Sequence, residues 1–388
     1  MITKIKNAVF VSDKEETGKY LYYENGIITA FTEENLPFDA EIDAKGMYVS
    51  SGFIDIHTHG AGGYDFADGS EDDIKKAAYT HALHGTTTVF PTCSSSSFSD
   101  MNKFVENTKN VMKKNAPGKP HIAGSHLEGP YFADSQKGAQ NPDYIKNPVP
   151  EEYMQFVKTG EGTLRRMSFA PELQGSMELC EYLKKQGIVA SFGHTDGIYE
   201  EIKPIIDKGC TLATHLYSGM NTVTRRGLYR KLGAVETAFL EDSVDVEIIA
   251  DGTHLPKELL KLIYKAKGPD KIALITDSMR GAGAKKGPSV LGPKNDGVEC
   301  IVGDDVAYLP DMKAFAGSIA TADRLVRVMN KEAEIPLCEC IKMITKTPAR
   351  IMGIQNRGQL KQGFFADLVF FDENINIKKI IIEGKELK

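Results

Sequence analysis

The fold this sequence predicts is a (β/α)8 TIM-type barrel with a small β-sandwich domain formed by both chain termini. Three observations predict it. Eight short apolar, β-rich runs recur through the middle of the chain, and stretches of helical period separate them. Polar, chemistry-bearing residues also fall at the ends of these runs, where a barrel of parallel strands opens its mouth.

The first 50 residues are strand-like and turn-rich, as in "KNAVFVSD", "GKYLYYENGIITAFT" and "MYVSSGF". The eight runs begin with "GFIDIH" (52–57), "GTTTVFPT" (85–92), "HIAGSHLEG" (121–129) and "RRMSFAPE" (165–172). "IVASFGH" (188–194), "TLATHL" (211–216), "VEIIADGTH" (246–254) and "IALITDS" (272–278) complete the set. Between the first two, "SEDDIKKAAYTHALH" reads as a helix, with Ser70 as its cap and acidic residues suited to its N-terminus. "GSMELCEYLKKQG" is similar and stops at Gly187, and "EIPLCECIKMITKTPARI" reads as one further helix. An open doubly wound sheet shares this rhythm, since alternation alone does not prove closure. From Gly358 the chain turns β again, so its two ends are expected to pair. The expected division is residues 1–50 and 350–388 for the sandwich and 51–349 for the barrel.

A chain of 388 residues that is 41% apolar has room for a substantial core. Its net charge of −6, without a basic block, argues against a nucleic-acid protein. "MITKIKNAVFVSD" lacks the apolar stretch of a signal peptide, and no run of about 18 apolar residues occurs. The expectation is a soluble cytoplasmic protein without membrane contact. Six scattered cysteines read as reduced, mostly buried thiols. Cys338 and Cys340, two apart on a helix, do not face each other and cannot chelate one ion.

His57 and His59 end the first run and, being two apart, project to the same side. The third run ends at Glu128, the fifth at His194 and the sixth at His215. The seventh carries Asp251 and His254, and the eighth ends at Asp277. One histidine at a strand end is ordinarily a hydrogen-bonded core residue. This many at equivalent ends point instead to a site for zinc, iron or a similar divalent ion, with His57, His59, Glu128, His194 and His215 as ligands. His81 and His84 read as solvated or packing residues, and His121 lies at the wrong end of its strand. His126 shares the face of Glu128 but sits deeper, as a support for the ligands.

The segments "GFIDIHTHG", "HLEGPYF", "KGAQNP", "GHTDG", "ATHLYSGM", "IADGTHL", "ITDSM" and "FAGSIAT" together resemble the N-acetylglucosamine-6-phosphate deacetylases of the amidohydrolase superfamily. The likeness runs through nearly the whole chain. It implies that Glu128, His194 and His215 hold the principal metal, that His57 and His59 hold a second, and that Asp277 is the catalytic acid/base. It implies a substrate site with Ala139, Gln140, Ser218, Gly219, Arg226, His254, Phe315, Ala316 and Gly317. It further implies a homodimer in which the basic loop after the sixth strand completes the partner's phosphate site.

The residues departing from the family pattern lie near substrate. "HLYSGM" stands where many members read "HLYNAM", so Ser218 and Gly219 replace Asn and Ala. Gln140 stands where many carry His, and donates a hydrogen bond without a charge. "RRGLYRKLG" replaces "REPG", which makes Arg225 a competitor of Arg226. These changes leave the galacto and manno sugars open as alternatives. A cyclic-amide hydrolase would commonly place a carboxylated Lys at the end of strand four, and "RRMSFAPE" has none. A non-catalytic relative would have lost one of Glu128, His194, His215 or Asp277, and all four are present.

Overall fold

A computed structural model describes residues 1–387. Eight parallel strands make the barrel, numbered here β1 (Phe53–Thr58), β2 (Thr86–Cys93), β3 (Ser125–Glu128), β4 (Leu164–Phe169), β5 (Val189–Phe192), β6 (Leu212–Ala213), β7 (Asp245–Ile248) and β8 (Ile272–Leu274). Each pairs with the next, from β1 round to β8. The last step, from β8 back to β1, is made just beyond the strands. The Asp277 N–H donates to the His57 carbonyl at 2.9 Å, and the His59 N–H to the Ser278 carbonyl at 2.9 Å. The Thr276 hydroxyl adds a bond to the buried Asp55 carboxylate at 2.5 Å. The barrel is therefore cinched at the level of the predicted site.

Between the strands, helices pack an apolar stripe on the barrel wall. In α1 (Glu71–Leu83) the buried residues are Ile74, Ala77, Ala78, His81 and Ala82, the spacing of one helical face. Ser70 caps it, its hydroxyl accepting the Asp73 N–H at 3.2 Å, and Glu71, Asp72 and Asp73 fill the first turn. The stretch expected as one helix near residue 345 is two, Leu337–Ile344 and Lys346–Ile351. Pro348 has no N–H for the Ile344 carbonyl, so the helix breaks at Thr345.

Most runs are shorter in the ladder than the sequence indicates, the third and sixth most clearly. The third divides at Gly124, whose φ is +154° and where a Cβ would lie 2.2 Å from the Arg165 side chain. The sixth keeps only Leu212–Ala213 as strand, because the chain turns at His215, with φ +28°.

Both termini build the sandwich. One sheet holds Ile2–Lys6, Tyr20–Glu24, Ile27–Thr32 and Ala40–Asp43. In the other, Tyr48–Ser51 runs antiparallel to Leu368–Phe371, with Val369 opposite Ser50. Phe10, Leu21 and Val49 from the first arm pack with Leu368, Phe370 and Ile381 from the last. A further four-stranded antiparallel sheet, unforeseen in the sequence, follows β8 as Gly287–Leu291, Val298–Val302, Val306–Tyr308 and Phe315–Ser318. Met279, Leu291, Cys300, Val302, Ala307 and Ala316 form its own small core. No helix among the described residues is long and apolar enough to cross a membrane. All six cysteines are free, and five of them are buried.

Candidate active site

The strand ends deliver four imidazoles and two carboxylates to one basin. Glu128 stands at its centre. Its Oε1 lies 3.2 Å from His194 Nε2 and 2.8 Å from His215 Nε2, and those two nitrogens are 3.2 Å apart. On the other side, His59 Nε2 lies 3.3 Å from Glu128 Oε2 and 3.1 Å from Asp277 Oδ1. His57 Nε2 is 3.4 Å from the same Asp277 oxygen. Ligands about 2.0–2.2 Å from a shared ion in tetrahedral array stand roughly 3.3–3.5 Å from one another, close to these separations. Three triads each bring their ligand atoms within 4.8 Å of one another: His57–His59–Glu128, His57–His215–Asp277 and Glu128–His194–His215.

The donor chemistry fits a cation. His57 Nε2 is buried without a hydrogen-bond partner among the described residues. In three of the four rings Nδ1 is committed outward. His194 Nδ1 donates to the Gln136 carbonyl at 2.8 Å, and His215 Nδ1 to the Ser218 carbonyl at 3.1 Å. His57 Nδ1 donates to the Glu247 carboxylate at 3.2 Å. In His57, His194 and His215 Nδ1 therefore carries the proton, which turns the Nε2 lone pair into the basin. Burial opposes a charged Glu128, yet the His57 charge and the bonds from His194 and His215 outweigh it and hold its pKa well below the usual carboxylate range. Burial likewise pushes the His57 pKa down, and the charges of Asp277, Glu247 and Glu128 more than reverse it, to about 9. The basin is short of positive charge.

The backbone at these positions is unusual as well. His194, His215, Tyr217 and Asp277 have φ of +47°, +28°, +78° and +44°. Non-glycine residues rarely adopt that region, and it costs of order 1–3 kcal/mol each. Such conformations cluster where function fixes a side chain.

Above the basin is a cavity of about 230 Å³. Ala139, Gln140, Ser218, Gly219, His254, Phe315 and Gly317 of the anticipated substrate residues line it. Ala316 points the other way, into the core of the inserted sheet. Arg226 lies apart, on an exposed hairpin of Thr224–Arg226 and Tyr229–Lys231.

Comparison with known proteins gives the family. The sequence profile of the amidohydrolase family matches residues 48–387. The chain belongs to the amidohydrolase family. It is similar to the N-acetylglucosamine-6-phosphate deacetylase of Lysinibacillus sphaericus, with 30% identity over 89% of this chain and 87% of the relative. It is similar to the N-acetylgalactosamine-6-phosphate deacetylase of Escherichia coli O157:H7, with 29% identity over 93% and 92%. Among solved structures, a mutant N-acetyl-D-glucosamine-6-phosphate deacetylase from Mycobacterium smegmatis, in complex with N-acetyl-D-glucosamine-6-phosphate, superposes with a TM-score of 0.90. That likeness covers 100% of this chain and 99% of the other, at 27% identity.

In this amidohydrolase several side chains differ in detail from what the sequence indicates. The Gln140 amide donates to Glu128 Oε2 at 2.7 Å, and its oxygen accepts the Ser95 N–H at 2.7 Å. One of its hydrogens is thus spent on a candidate ligand, and one N–H is left for substrate. Gly219 has φ +55°, and a Cβ there would come within 2.8 Å of His194 Nδ1 and 3.0 Å of the Gln136 carbonyl. Glycine is what lets that carbonyl seat His194. His254 donates from Nδ1 to Asp251 at 2.7 Å, and its ring sits 4.8 Å from that of Phe315.

His126 lies beneath the ligand candidates, bonded to Ser168 at 2.7 Å and with its ring 4.7 Å from that of His57. His81 is a buried packing residue, and His84 pairs with Asp323 at 3.2 Å. His121 sits at the far end of the barrel beside Arg357 and Glu383. Sequence reasoning missed Gly138, Leu291 and Ala314 in the cavity wall, and Arg166 and Glu247 below it. For the last two a signal existed, since "RRMSF" and "VEII" put charges inside apolar β runs.

Proposed function

We propose that this amidohydrolase removes the N-acetyl group of N-acetyl-D-glucosamine 6-phosphate, releasing acetate and glucosamine 6-phosphate in amino-sugar catabolism. The observation that carries the reading is the basin of four imidazoles and two carboxylates at the floor of a cavity lined by His254, Gly219 and Phe315. Glu128, His194 and His215 would hold one divalent ion, and His57 and His59 a second, with Glu128 between them. Such an ion, when bound, supplies a lowered pKa for water, towards about 7, and a Lewis acid for the acetyl carbonyl.

The chain's own residues do the rest. Asp277 faces the same space as the ligands and takes a proton from the attacking water as its oxygen bonds to the acetyl carbon. It returns that proton to the nitrogen as the carbon–nitrogen bond breaks, so the amine leaves neutral. The free N–H of Gln140 is placed to donate towards the developing oxyanion. His254, fixed by Asp251, and the loop at Ser218 and Gly219 orient the sugar.

The phosphate calls for a cation, and no Lys or Arg lines the cavity among the described residues. Arg226 is exposed, and its hairpin carries Leu228 and Tyr229 with 92% and 74% of their surface free. We therefore assign the protein as a homodimer in which each chain's Arg226 reaches the other chain's phosphate, as a bidentate partner. The test is acetate release from the 6-phosphates of N-acetylglucosamine, N-acetylgalactosamine and N-acetylmannosamine, and from N-acetylglucosamine itself. The first is expected to give the highest kcat/KM. A preference for the galacto sugar, the second reading favoured by the Escherichia coli relative, would reassign the substrate. No acetate from any of them would end the deacetylase reading.

A further inference from the structure

Directly beneath the ligands lies a layer of polar side chains that the reaction above does not use. Barrel interiors are dominated by branched apolar residues. Here Arg166 on β4 and Glu247 on β7 meet at the axis, both with 0% of their surface exposed. The guanidinium is fully engaged. Its Nε donates to Ser191 at 3.0 Å, Nη1 to Glu247 and to the Ile56 carbonyl at 3.3 Å, and Nη2 to Glu247 at 2.8 Å and Thr214 at 3.1 Å. One carboxylate oxygen of Glu247, Oε2, also accepts from His57 Nδ1 at 3.2 Å and from the His215 backbone N–H at 3.2 Å.

A buried ion pair is a poor device for stability, because apolar side chains of similar volume usually serve as well or better. The reason for this one is found in what it touches. His194 and His215 give their Nδ1 protons to neutral backbone carbonyls, whereas His57 gives its proton to a carboxylate. A carboxylate fixes the same tautomer and also makes the ring a stronger electron donor at Nε2. His57 and His59 form one candidate triad with Glu128, His194 and His215 form another with it, and His57 also groups with His215 and Asp277.

We propose that Glu247, oriented and neutralised by Arg166, is a positioning residue that selectively strengthens the half of the centre formed by His57 and His59. It rests on the two-ion reading above. The His194 and His215 half meets Glu247 directly through the His215 backbone N–H at 3.2 Å, and not through an imidazole.

Equilibrium dialysis against Co²⁺ alone, with cobalt per chain from elemental analysis and the visible spectrum of the bound ion, tests the idea without reference to activity. The proteins are the wild type, Glu247→Gln and the double variant Arg166→Met/Glu247→Leu. Glu247→Gln keeps an acceptor oxygen for His57 and loses the charge. The double variant loses acceptor and both charges together, so no unpaired charge is buried, and it decides the matter if the single variant does not fold. The wild type is expected to bind two ions. In both variants one ion should keep its affinity within a few-fold, and the other should bind roughly 10- to 100-fold more weakly. The absorption band lost with it should be the one lost in His59→Ala. Two ions retained by the double variant at wild-type affinity, or both weakened in parallel, would overturn the role of Glu247 while leaving two ions in place. A wild type that binds one ion would overturn the two-ion reading itself, and this inference with it.

Discussion

Asp277 and Arg226 belong to the same proposed reaction, but one stands on the floor of the cavity and the other on its rim. On the floor, side chains are pinned. His57, His194 and His215 each have their outer nitrogen bonded, Glu128 is held by Gln140, and the Asp277 backbone closes the barrel. On the rim, Arg226 sits in an exposed two-strand hairpin. Phe315 is 44% exposed on the edge of an inserted sheet. Catalysis requires geometry fixed before substrate arrives. Recognition of a sugar tolerates elements that are completed only on binding or by a second chain. Floor changes should therefore act on kcat and metal, and rim changes on KM.

The largest effect belongs to the floor. Asp277→Asn should keep the metal content and bind substrate, and kcat should fall by about 10²–10⁴-fold. Acetate release measured beside elemental analysis separates the two. Activity within a few-fold of wild type, or loss of metal, would take the proton-shuttle role away from Asp277.

Behind the floor, His81 gives a pH signature. Burial pushes its pKa down to about 4, from about 6.5 in an unfolded chain. Its Nε2 is tied to the Gly60 carbonyl at 3.1 Å and the Thr58 hydroxyl at 2.9 Å, next to the ligand candidates His57 and His59. As pH falls below about 6.5 the unfolded chain gains a proton that the native state refuses until about pH 4, so stability is lost across that window. Relative to His81→Gln, the wild type should lose about 3 kcal/mol between pH 7 and pH 4. Urea unfolding of both proteins at each pH measures the difference, and metal loss common to both cancels. Equal losses would mean that His81 titrates normally.

The contrast between floor and rim also governs what could be read from the sequence. Side chains alternate along a strand, and barrel sites gather at strand C-termini, so His57, His59, Glu128, His194, His215 and Asp277 could be picked out one run at a time. The same rule overestimated the ladders. His215 and Asp277 leave the strand by a left-handed turn, which no apolar pattern encodes. Arg166 and Glu247 went unnoticed because a charge inside a β run gains meaning only when its partner, 81 positions away, is known to face it. The inserted sheet was invisible for a different reason. Its strands are short, half-exposed and interrupted by "GPKNDG" and "GDD", which read as loop. Rim residues such as Leu291 and Ala314 thus arrive with an element that the sequence pattern did not announce.

On the rim the strongest expectation concerns Arg226. Arg226→Ala should weaken binding of the phosphorylated sugar by roughly 10- to 150-fold, the worth of a charge-assisted contact of about 1.5–3 kcal/mol. Its unphosphorylated analogue should be unaffected. Mixing Arg226→Ala chains with Asp277→Asn chains should restore one intact site per heterodimer, and activity should rise above that of either parent. Absence of recovery after confirmed subunit exchange would return the Arg to its own chain's site.

Phe315 offers the smallest effect and the finest test of the division. Its ring is 4.8 Å from that of His254 at an interplanar angle of 59°, and it shares the cavity wall with Gly317. It touches none of the metal-ligand candidates through a hydrogen bond, and His254 is already fixed by Asp251 at 2.7 Å. Removing the ring therefore strips one face from the sugar and leaves the floor as it was. An aromatic contact of this kind is worth about 0.5–1.5 kcal/mol, which corresponds to roughly a 2- to 12-fold change. Phe315→Ala should raise KM by that factor at constant kcat and constant metal content. A fall in kcat beyond it would mean that the inserted sheet sets the position of His254 or Asp277, and that rim and floor act as one unit.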